Sequence, residues 1–157
     1  MDFANFLIYG LTQFGTGPLA DEFNLKKILP INYAIQTLMF ACIAMTGFLG
    51  GEYSDIQFYF WFGIIGLVQS MCFPAFVHIT ANWFSEKNRG VAVGAFCSCV
   101  CIGNIVGAQV GQALLSAFNQ KWQYLFVVLT CLYAVLGILI HFLLVQHPAK
   151  IGIEIED

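Results

Sequence analysis

Long apolar stretches alternate with short polar clusters along this chain. Each of five stretches is long enough to cross the hydrocarbon core of a bilayer as a helix, which takes about 20 mostly apolar residues. The predicted spans are Phe3–Leu19, Ile28–Gly50, Ile56–Trp83, Gly90–Phe118 and Tyr124–Val145. Transmembrane β-strands need only about 10 residues and alternate in polarity. We therefore predict an all-α integral membrane fold with five transmembrane helices.

Composition supports lipid as the solvent for this chain. Of the 157 residues, 59% are hydrophobic and 10% are charged, and the mean hydropathy is +0.78. A soluble domain carries roughly a quarter charged residues, and a chain this short cannot bury so much apolar surface in one core. The predicted domain organisation is a five-helix transmembrane bundle over residues 1–147 and a short acidic tail over residues 148–157.

The basic residues predict the orientation. If the first span enters from outside, five of the six lysines and arginines lie in inner segments: Lys26, Lys27, Lys87, Arg89 and Lys150. Only Lys121 lies outside. Because basic residues accumulate on the inner side of membranes, we expect the N-terminus outside and the C-terminal tail inside, in the cytoplasm or a matrix. The sequence does not specify the organelle, and a mitochondrial inner membrane is one candidate.

Several functional classes are disfavoured. The net charge is −3 and no basic patch exceeds two adjacent residues, so we expect no nucleic-acid partner. All six cysteines fall within spans, which argues against a secreted disulfide framework. No pairing of a nucleophile with a base is evident, so we predict neither an enzyme nor a cofactor.

The stretch "FCSCVCIGN" raises the question of a metal site. An α-helix turns about 100° per residue, so Cys99 points away from Cys97 and Cys101. The three thiols cannot converge on one tetrahedral metal, and we predict no metal site. Cys97 and Cys101 instead share a mildly polar stripe with Asn104, Ala108 and Gln112.

A second stripe on the same predicted helix consists of glycines. Gly103, Gly107 and Gly111 are spaced by four residues, and Gly90 and Gly94 form a further pair. Such spacing lets the backbones of two membrane helices approach closely. We predict that Gly94, Gly103, Gly107 and Gly111 form a helix-packing seam covered by other membrane subunits, with lipid around the rest of the bundle.

The loop "GTGPLADEFNLKK" follows the first predicted span. Gly17, Asp21, Lys26 and Lys27 form the pattern Gly-x-x-x-Asp followed by paired bases. In this the sequence resembles the major facilitator superfamily, whose second and third helices are joined by such a loop. An ordinary charged turn is the alternative interpretation.

Residues 66–107 resemble the organophosphate:phosphate antiporter branch of that superfamily, and most of all its sugar-phosphate exchangers. The matching pieces are Gln69-Ser70, Pro74, Asn82-Trp83-Phe84, Arg89-Gly90, Gly94 and Gly103-Asn104 with Gly107. The resemblance implies that the five spans correspond to helices two to six of a twelve-helix transporter, an N-terminal half bundle that lacks the first helix. It adds Arg89 and Gly90 to the inner-loop motif, where Arg89 either pairs with Asp21 or is solvated. It implies Gln69, Asn104 and Gln112 as substrate-binding residues.

The sequence also departs from that branch. Where the exchangers typically carry Trp-Asn-Ser-His, this chain has Phe96-Cys97-Ser98-Cys99, and Glu22 stands where the loop usually has a base. The phosphate-binding arginines of the family lie on the first and seventh helices, and no lysine or arginine lies deep in the five spans. A phosphate in a membrane cavity needs cations or helix N-termini to offset its charge.

Two main hypotheses follow. Alternating access requires two repeats that move around a midplane site, so the first hypothesis is a transporter-derived, non-transporting accessory subunit of a larger membrane complex. The second is part of a genuine sugar-phosphate or organophosphate:phosphate antiporter, and only then is a phosphate ester a partner. A dimeric five-helix channel is a third, weaker alternative.

Overall fold

The structure, a computed structural model, describes residues 7–16, 24–50 and 54–145. Its helices are α1 over residues 7–16, α2 (Leu25–Leu49), α3 (Ser54–Gln69), α4 (Cys72–Trp83), α5 (Glu86–Ala117) and α6 (Trp122–Leu143). No strand occurs among the described residues, which confirms the all-α prediction.

Four of the five predicted spans are recovered as helical segments of membrane-crossing length and hydropathy. They are Leu25–Leu49, Ile56–Trp83, Glu86–Ala117 and Trp122–Leu143. The first predicted span, Phe3–Leu19, is described only over residues 7–16, where it is helical. The predicted ends of the spans differ from the observed helix ends by a few residues. The largest difference is at the start of α5, which was predicted at Gly90 and lies at Glu86, directly after the N-cap residue Ser85.

Helix α2 is the centre of the described bundle and packs mainly against α6 and α3. Its buried residues recur every three or four positions and so form one stripe along the helix: Leu25, Leu29, Asn32, Gln36, Phe40, Ile43 and Ala44. Asn24 caps the helix by accepting a hydrogen bond from the Lys26 amide at 3.1 Å, and Gly50 ends it with a φ of 59°.

An aromatic cluster holds α2, α3 and α6 together at one membrane face. Phe40, Ile65 and Phe126 are buried there, and Phe58 and Trp122 pack around them. At the same end α2 and α6 approach closely, because Gly47 has no side chain. A Cβ at Gly47 would overlap the side chains of Trp122 and Gln123. The Gln123 Nε2 also donates a hydrogen bond to the Gly47 carbonyl at 2.8 Å.

A second cluster joins α2, α4 and α6 at the opposite face. Leu25, Leu29 and Ala75 are buried in it, and Ile140 and Leu144 pack against them. The Trp83 Nε1 donates to the Val145 carbonyl at 2.9 Å. The start of α2 and the ends of α4 and α6 therefore lie at the same face.

The predicted third span is interrupted in its middle. Helix α3 ends at Gln69 and α4 begins at Cys72, with a turn at Ser70 and Met71. Pro74 explains part of this break, since proline has no N–H to donate to the carbonyl of Ser70, four residues earlier. The sequence analysis predicts one continuous span over Ile56–Trp83, whereas the structure has two helices.

Side chains from neighbouring helices satisfy the carbonyls freed at this break. The Thr16 Oγ1 donates to the Ser70 carbonyl at 3.2 Å, and the Asn32 Nδ2 donates to the Val68 carbonyl at 2.7 Å. Irregular backbone at membrane depth is tolerated only where protein groups replace the lost hydrogen bonds. Thr16 and Asn32 thus make the α3–α4 break compatible with a membrane interior.

Candidate functional site

A buried polar network lies beside the α3–α4 break. On α2, Asn32 is 7% exposed and Gln36 is 1% exposed. The Gln36 Nε2 donates to the Asn32 Oδ1, and the Cys72 Sγ of α4 lies 3.8 Å from the same oxygen. The Gln36 Oε1 is buried and accepts no hydrogen bond from the described residues. Burying polar groups costs free energy unless they are paired, so this network orients α2 against α3 and α4.

Gln69, a predicted substrate-binding residue, belongs to the bundle interior. Its Nε2 donates to the Tyr133 hydroxyl of α6 at 3.2 Å. The Tyr133 ring in turn lies 4.9 Å from the Phe40 ring and 5.7 Å from the Tyr33 ring, measured between centroids. Gln69 therefore links α3 to α6 at the last residue before the break.

Asn104 and Gln112, the other two predicted substrate-binding residues, lie on α5 and are exposed. No described contact joins either of them to Gln69. Gln112 lines a groove of about 880 Å³ between α5 and the start of α6, together with Gly107, Gly111 and Leu125. The structure thus does not bring the three predicted residues into one pocket, and their role in binding stays a prediction.

The glycines of α5 face largely open space. A Cβ added at Gly94, Gly103 or Gly107 would meet no atom of the described residues within 4 Å, and Gly90 is equally open. Only Gly111 approaches a neighbour, Leu125 of α6, whose Cδ1 would lie 3.9 Å from the added Cβ. The predicted packing seam has no helix on it within this part of the chain.

The glycine stripe nevertheless lies on the side of α5 that faces the bundle. Phe96 precedes Gly103 by seven residues, about two helical turns, and so lies on the same face. Its ring stacks on Phe76 of α4 with centroids 3.8 Å apart and an interplanar angle of 17°. Helix α5 thus contacts the bundle near Phe96 and near Gly111, and between these contacts the space beside Gly103 and Gly107 is open.

The three cysteines of α5 are free and exposed. Among the described residues, no group of three or more histidine, cysteine, aspartate or glutamate side chains is placed to hold a metal ion. Cys97, Cys99 and Cys101 are therefore separate, accessible thiols on the helix surface.

The inner-loop motif is only partly described. Gly17 and Asp21 lie outside the described residues, so the predicted pairing of Arg89 with Asp21 is untested. Lys26 and Lys27 are exposed in the first turn of α2. The Arg89 Nη2 donates to the Ala81 carbonyl of α4 at 3.1 Å, beside the exposed Gly90. Arg89 therefore connects the start of α5 to the last turns of α4.

Sequence reasoning did not single out Asn32, Gln36 or Tyr133 as members of a site. A signal was present: Asn32 and Gln36 are polar, lie four residues apart and stand inside a predicted span. Side chains four apart share a helix face, and polar residues within membrane helices usually face protein. Their partners across the bundle, Val68 and Cys72, are 36 or more residues away and become neighbours only through folding.

Comparison with known proteins identifies the family. The family model described as Major Facilitator Superfamily matches residues 1–156. The putative glycerol-3-phosphate transporter 1 of Arabidopsis thaliana is 29% identical over all of this chain and 29% of its own length. The glucose-6-phosphate exchanger SLC37A2 of Xenopus tropicalis is 31% identical over 97% of this chain and 30% of its own length. The human sugar phosphate exchanger 3 is 30% identical over 93% of this chain and 29% of its own length.

These names describe transporters and exchangers rather than enzymes. The chain spans less than a third of the length of each of these relatives, and no solved structure matches it. The matches confirm the resemblance to the sugar-phosphate branch that the motifs around Gln69, Arg89 and Gly103 carry. The chain therefore belongs to the major facilitator superfamily.

Proposed function

We propose that this chain forms part of the N-terminal half of an antiporter that exchanges a phosphate ester, such as glycerol 3-phosphate or a sugar phosphate, for inorganic phosphate. The observation that carries the proposal is its similarity, over nearly its whole length, to relatives named as transporters and exchangers of these compounds. The predicted orientation, with the paired lysines of α2 on the inner side, belongs to this proposal.

In this proposal, α5 lines the substrate pathway. Its polar stripe, represented by Cys97, Asn104 and Gln112, is exposed along the helix, as a wall that faces a water-filled path must be. Polar side chains of this kind can hydrogen-bond the hydroxyl groups of a sugar. Gln69 is better suited to hold α3 against α6, because its amide already donates to Tyr133.

The phosphate group requires further parts of a transporter. Within the described spans, lysines and arginines occur only at or near helix ends, as at Lys26, Lys87 and Arg89. Cations that could balance a phosphate at the midplane would therefore come from helices beyond this bundle. The open glycines, Gly103 and Gly107, would let one such helix approach the α5 backbone closely.

The predicted accessory role without transport gains no support from the relatives, and neither does a mitochondrial location. Half of a two-repeat transporter cannot alternate its access alone. A second half, on the same polypeptide or on another one, meets this requirement as well as an accessory role does. We therefore propose transport.

Counterflow of phosphate tests the proposed exchange. The protein is extracted from its own membrane in mild detergent, so that bound chains are retained, and reconstituted into liposomes loaded with glycerol 3-phosphate or glucose 6-phosphate. We expect these liposomes to accumulate labelled phosphate faster than liposomes loaded with glycerol or glucose. Equal uptake in all four preparations would contradict the proposal.

Thiol labelling tests the wall assigned to α5 without requiring turnover. Two variants retain one cysteine each, Cys97 on the polar stripe or Cys99 on the opposite side. We expect glucose 6-phosphate to slow the reaction of Cys97 with a membrane-impermeant methanethiosulfonate severalfold and to leave Cys99 unchanged. Equal protection of both thiols, or of neither, would remove this stripe from the substrate pathway.

A further inference from the structure

A groove on the bundle surface lies between α2 and α6, away from α5. Its volume is about 360 Å³, and it is lined by Pro30, Ala34 and Thr37 of α2 and by Gly137, Ile138 and His141 of α6. The two helices meet closely at Gly137, where an added Cβ would lie 3.1 Å from the Tyr33 Cβ. Beside this contact, the small side chain of Ala34 leaves the groove open.

The depth of the groove matches one leaflet of a bilayer. Its α6 wall runs from Tyr133 to Phe142, and this stretch of helix rises about 13.5 Å. Half of the hydrocarbon core measures about 15 Å. His141 lies two residues before the end of α6 at Leu143, so the groove extends from the membrane interface almost to the midplane.

Positive charge stands at the interfacial end of the groove. Lys26 and Lys27 precede Pro30 by four and three residues, and side chains with these spacings are neighbours on one helix face. Both lysines are exposed, and neither forms an ion pair with any residue that the structure describes. The first turn of α2 contains no acidic residue, and the N-terminal end of a helix dipole adds partial positive charge.

We propose that this groove binds an anionic phospholipid. One acyl chain lies between α2 and α6, the phosphate lies near Lys26 and Lys27, and the His141 imidazole is within reach of the glycerol ester region. An apolar channel of leaflet depth fits an acyl chain, and two exposed lysines at its interfacial end select a negative headgroup over a zwitterionic one. This site does not depend on the solute that the transporter carries.

Native mass spectrometry of the detergent-purified full chain tests this site. The probe is an equimolar mixture of phosphatidylglycerol and phosphatidylcholine. We expect the chain to retain one phosphatidylglycerol in preference to phosphatidylcholine. A lysine near a membrane surface contributes about 1 kcal/mol to the binding of anionic lipid, which corresponds to roughly fivefold in affinity. Lys26→Gln and Lys27→Gln should each lower retention by roughly this factor, and Lys121→Gln, at the opposite membrane face, should not.

A groove-filling variant tests where the lipid lies. Ala34→Trp should abolish retention of phosphatidylglycerol although both lysines are intact, whereas Ala95→Trp on the exposed surface of α5 should retain it. Circular dichroism and monodisperse elution verify that each variant is folded. The wild-type headgroup preference provides an independent result if Ala34→Trp does not fold. Equal retention of both lipids, unchanged binding in a folded Ala34→Trp, or a protein dimer that excludes lipid would each overturn the proposal.

Discussion

Helices α2 and α5 are both long and apolar, yet their surroundings differ. Helix α2 has 25 residues and buries seven of them, whereas α5 has 32 and buries none among the described residues. Lipid is as apolar as a leucine side chain, so hydrophobicity alone does not drive one membrane helix against another. What distinguishes α2 is a stripe of side chains that both fill space and form hydrogen bonds.

The side of α5 that faces the bundle has the opposite character. At Gly103 and Gly107 it offers no side chain to fill the space towards the neighbouring helices. The contacts described for this helix lie on either side of these glycines, at Arg89 and Phe96 before them and at Gly111 after them. The comparison indicates that α2 is the structural centre of the described bundle and that α5 packs only loosely against it.

The largest expected effect of a substitution that tests this contrast is at Gly47. In Gly47→Leu, the new side chain would collide with Trp122 and Gln123 of α6, and we expect the free energy of unfolding to fall by about 3 kcal/mol, the upper end of the usual cost of overpacking. Titration with a denaturing detergent, followed by circular dichroism, measures this loss. Gly94→Leu on α5 meets open space and should not lower stability, because leucine is a better helix former than glycine. Equal losses would mean that α5 is packed as tightly as α2.

The second-largest loss of stability is expected for a substitution in the buried polar network of α2. Asn32→Leu keeps the volume similar but leaves the Val68 carbonyl without its donor at the α3–α4 break. A buried group left unpaired costs about 2 kcal/mol, and we expect a loss of stability of that size in the same titration. Asn104→Leu on α5 removes the same amide from an exposed position and serves as the control. A loss for Asn104→Leu as large as for Asn32→Leu would show that Asn104 is also paired.

The smallest loss of stability is expected for substitutions of two predicted substrate-binding residues, Gln69 and Gln112, which should behave differently. Gln69→Leu removes the hydrogen bond to Tyr133 and should cost about 1 kcal/mol, a typical net value for one bond. Gln112→Leu should leave stability unchanged and, if α5 lines the pathway, weaken the protection of Cys97 by glucose 6-phosphate. If instead Gln69→Leu preserves stability and abolishes that protection, Gln69 contacts the substrate and our structural interpretation of it is wrong.

The sequence contained enough to predict the class of fold. Four spans were recognisable from uninterrupted hydropathy, and the motifs around Gln69, Arg89 and Gly103 were sufficient for the family. The prediction succeeds because membrane insertion depends on the apolar content of a local stretch. The interruption at Ser70 was not predicted, because hydropathy is continuous there. Pro74 explains a missing donor, but the sequence does not show which side chains satisfy the freed carbonyls.

For the candidate site too, some features follow from the sequence and others only from the fold. The helical angles of Cys97 and Cys99 follow from their spacing, because a helix repeats locally. The partnership of Gln69 with Tyr133, 64 residues later, does not, because it depends on which helices become neighbours. Sequence reasoning therefore grouped Gln69 with Asn104 and Gln112 by resemblance, while the structure places it inside the bundle.

By itself, the sequence determined that this is an all-helical membrane protein of the major facilitator superfamily, with a glycine stripe and a polar stripe on one helix. Only the tertiary structure decided that Asn32 and Gln36 are buried beside the break, that the glycine stripe faces the bundle without being filled, and that a groove remains between α2 and α6. The physical reason is one of range. Hydropathy and helical periodicity act over a few residues, whereas burial and hydrogen-bond partnership in a bundle are set by helices far apart in the chain.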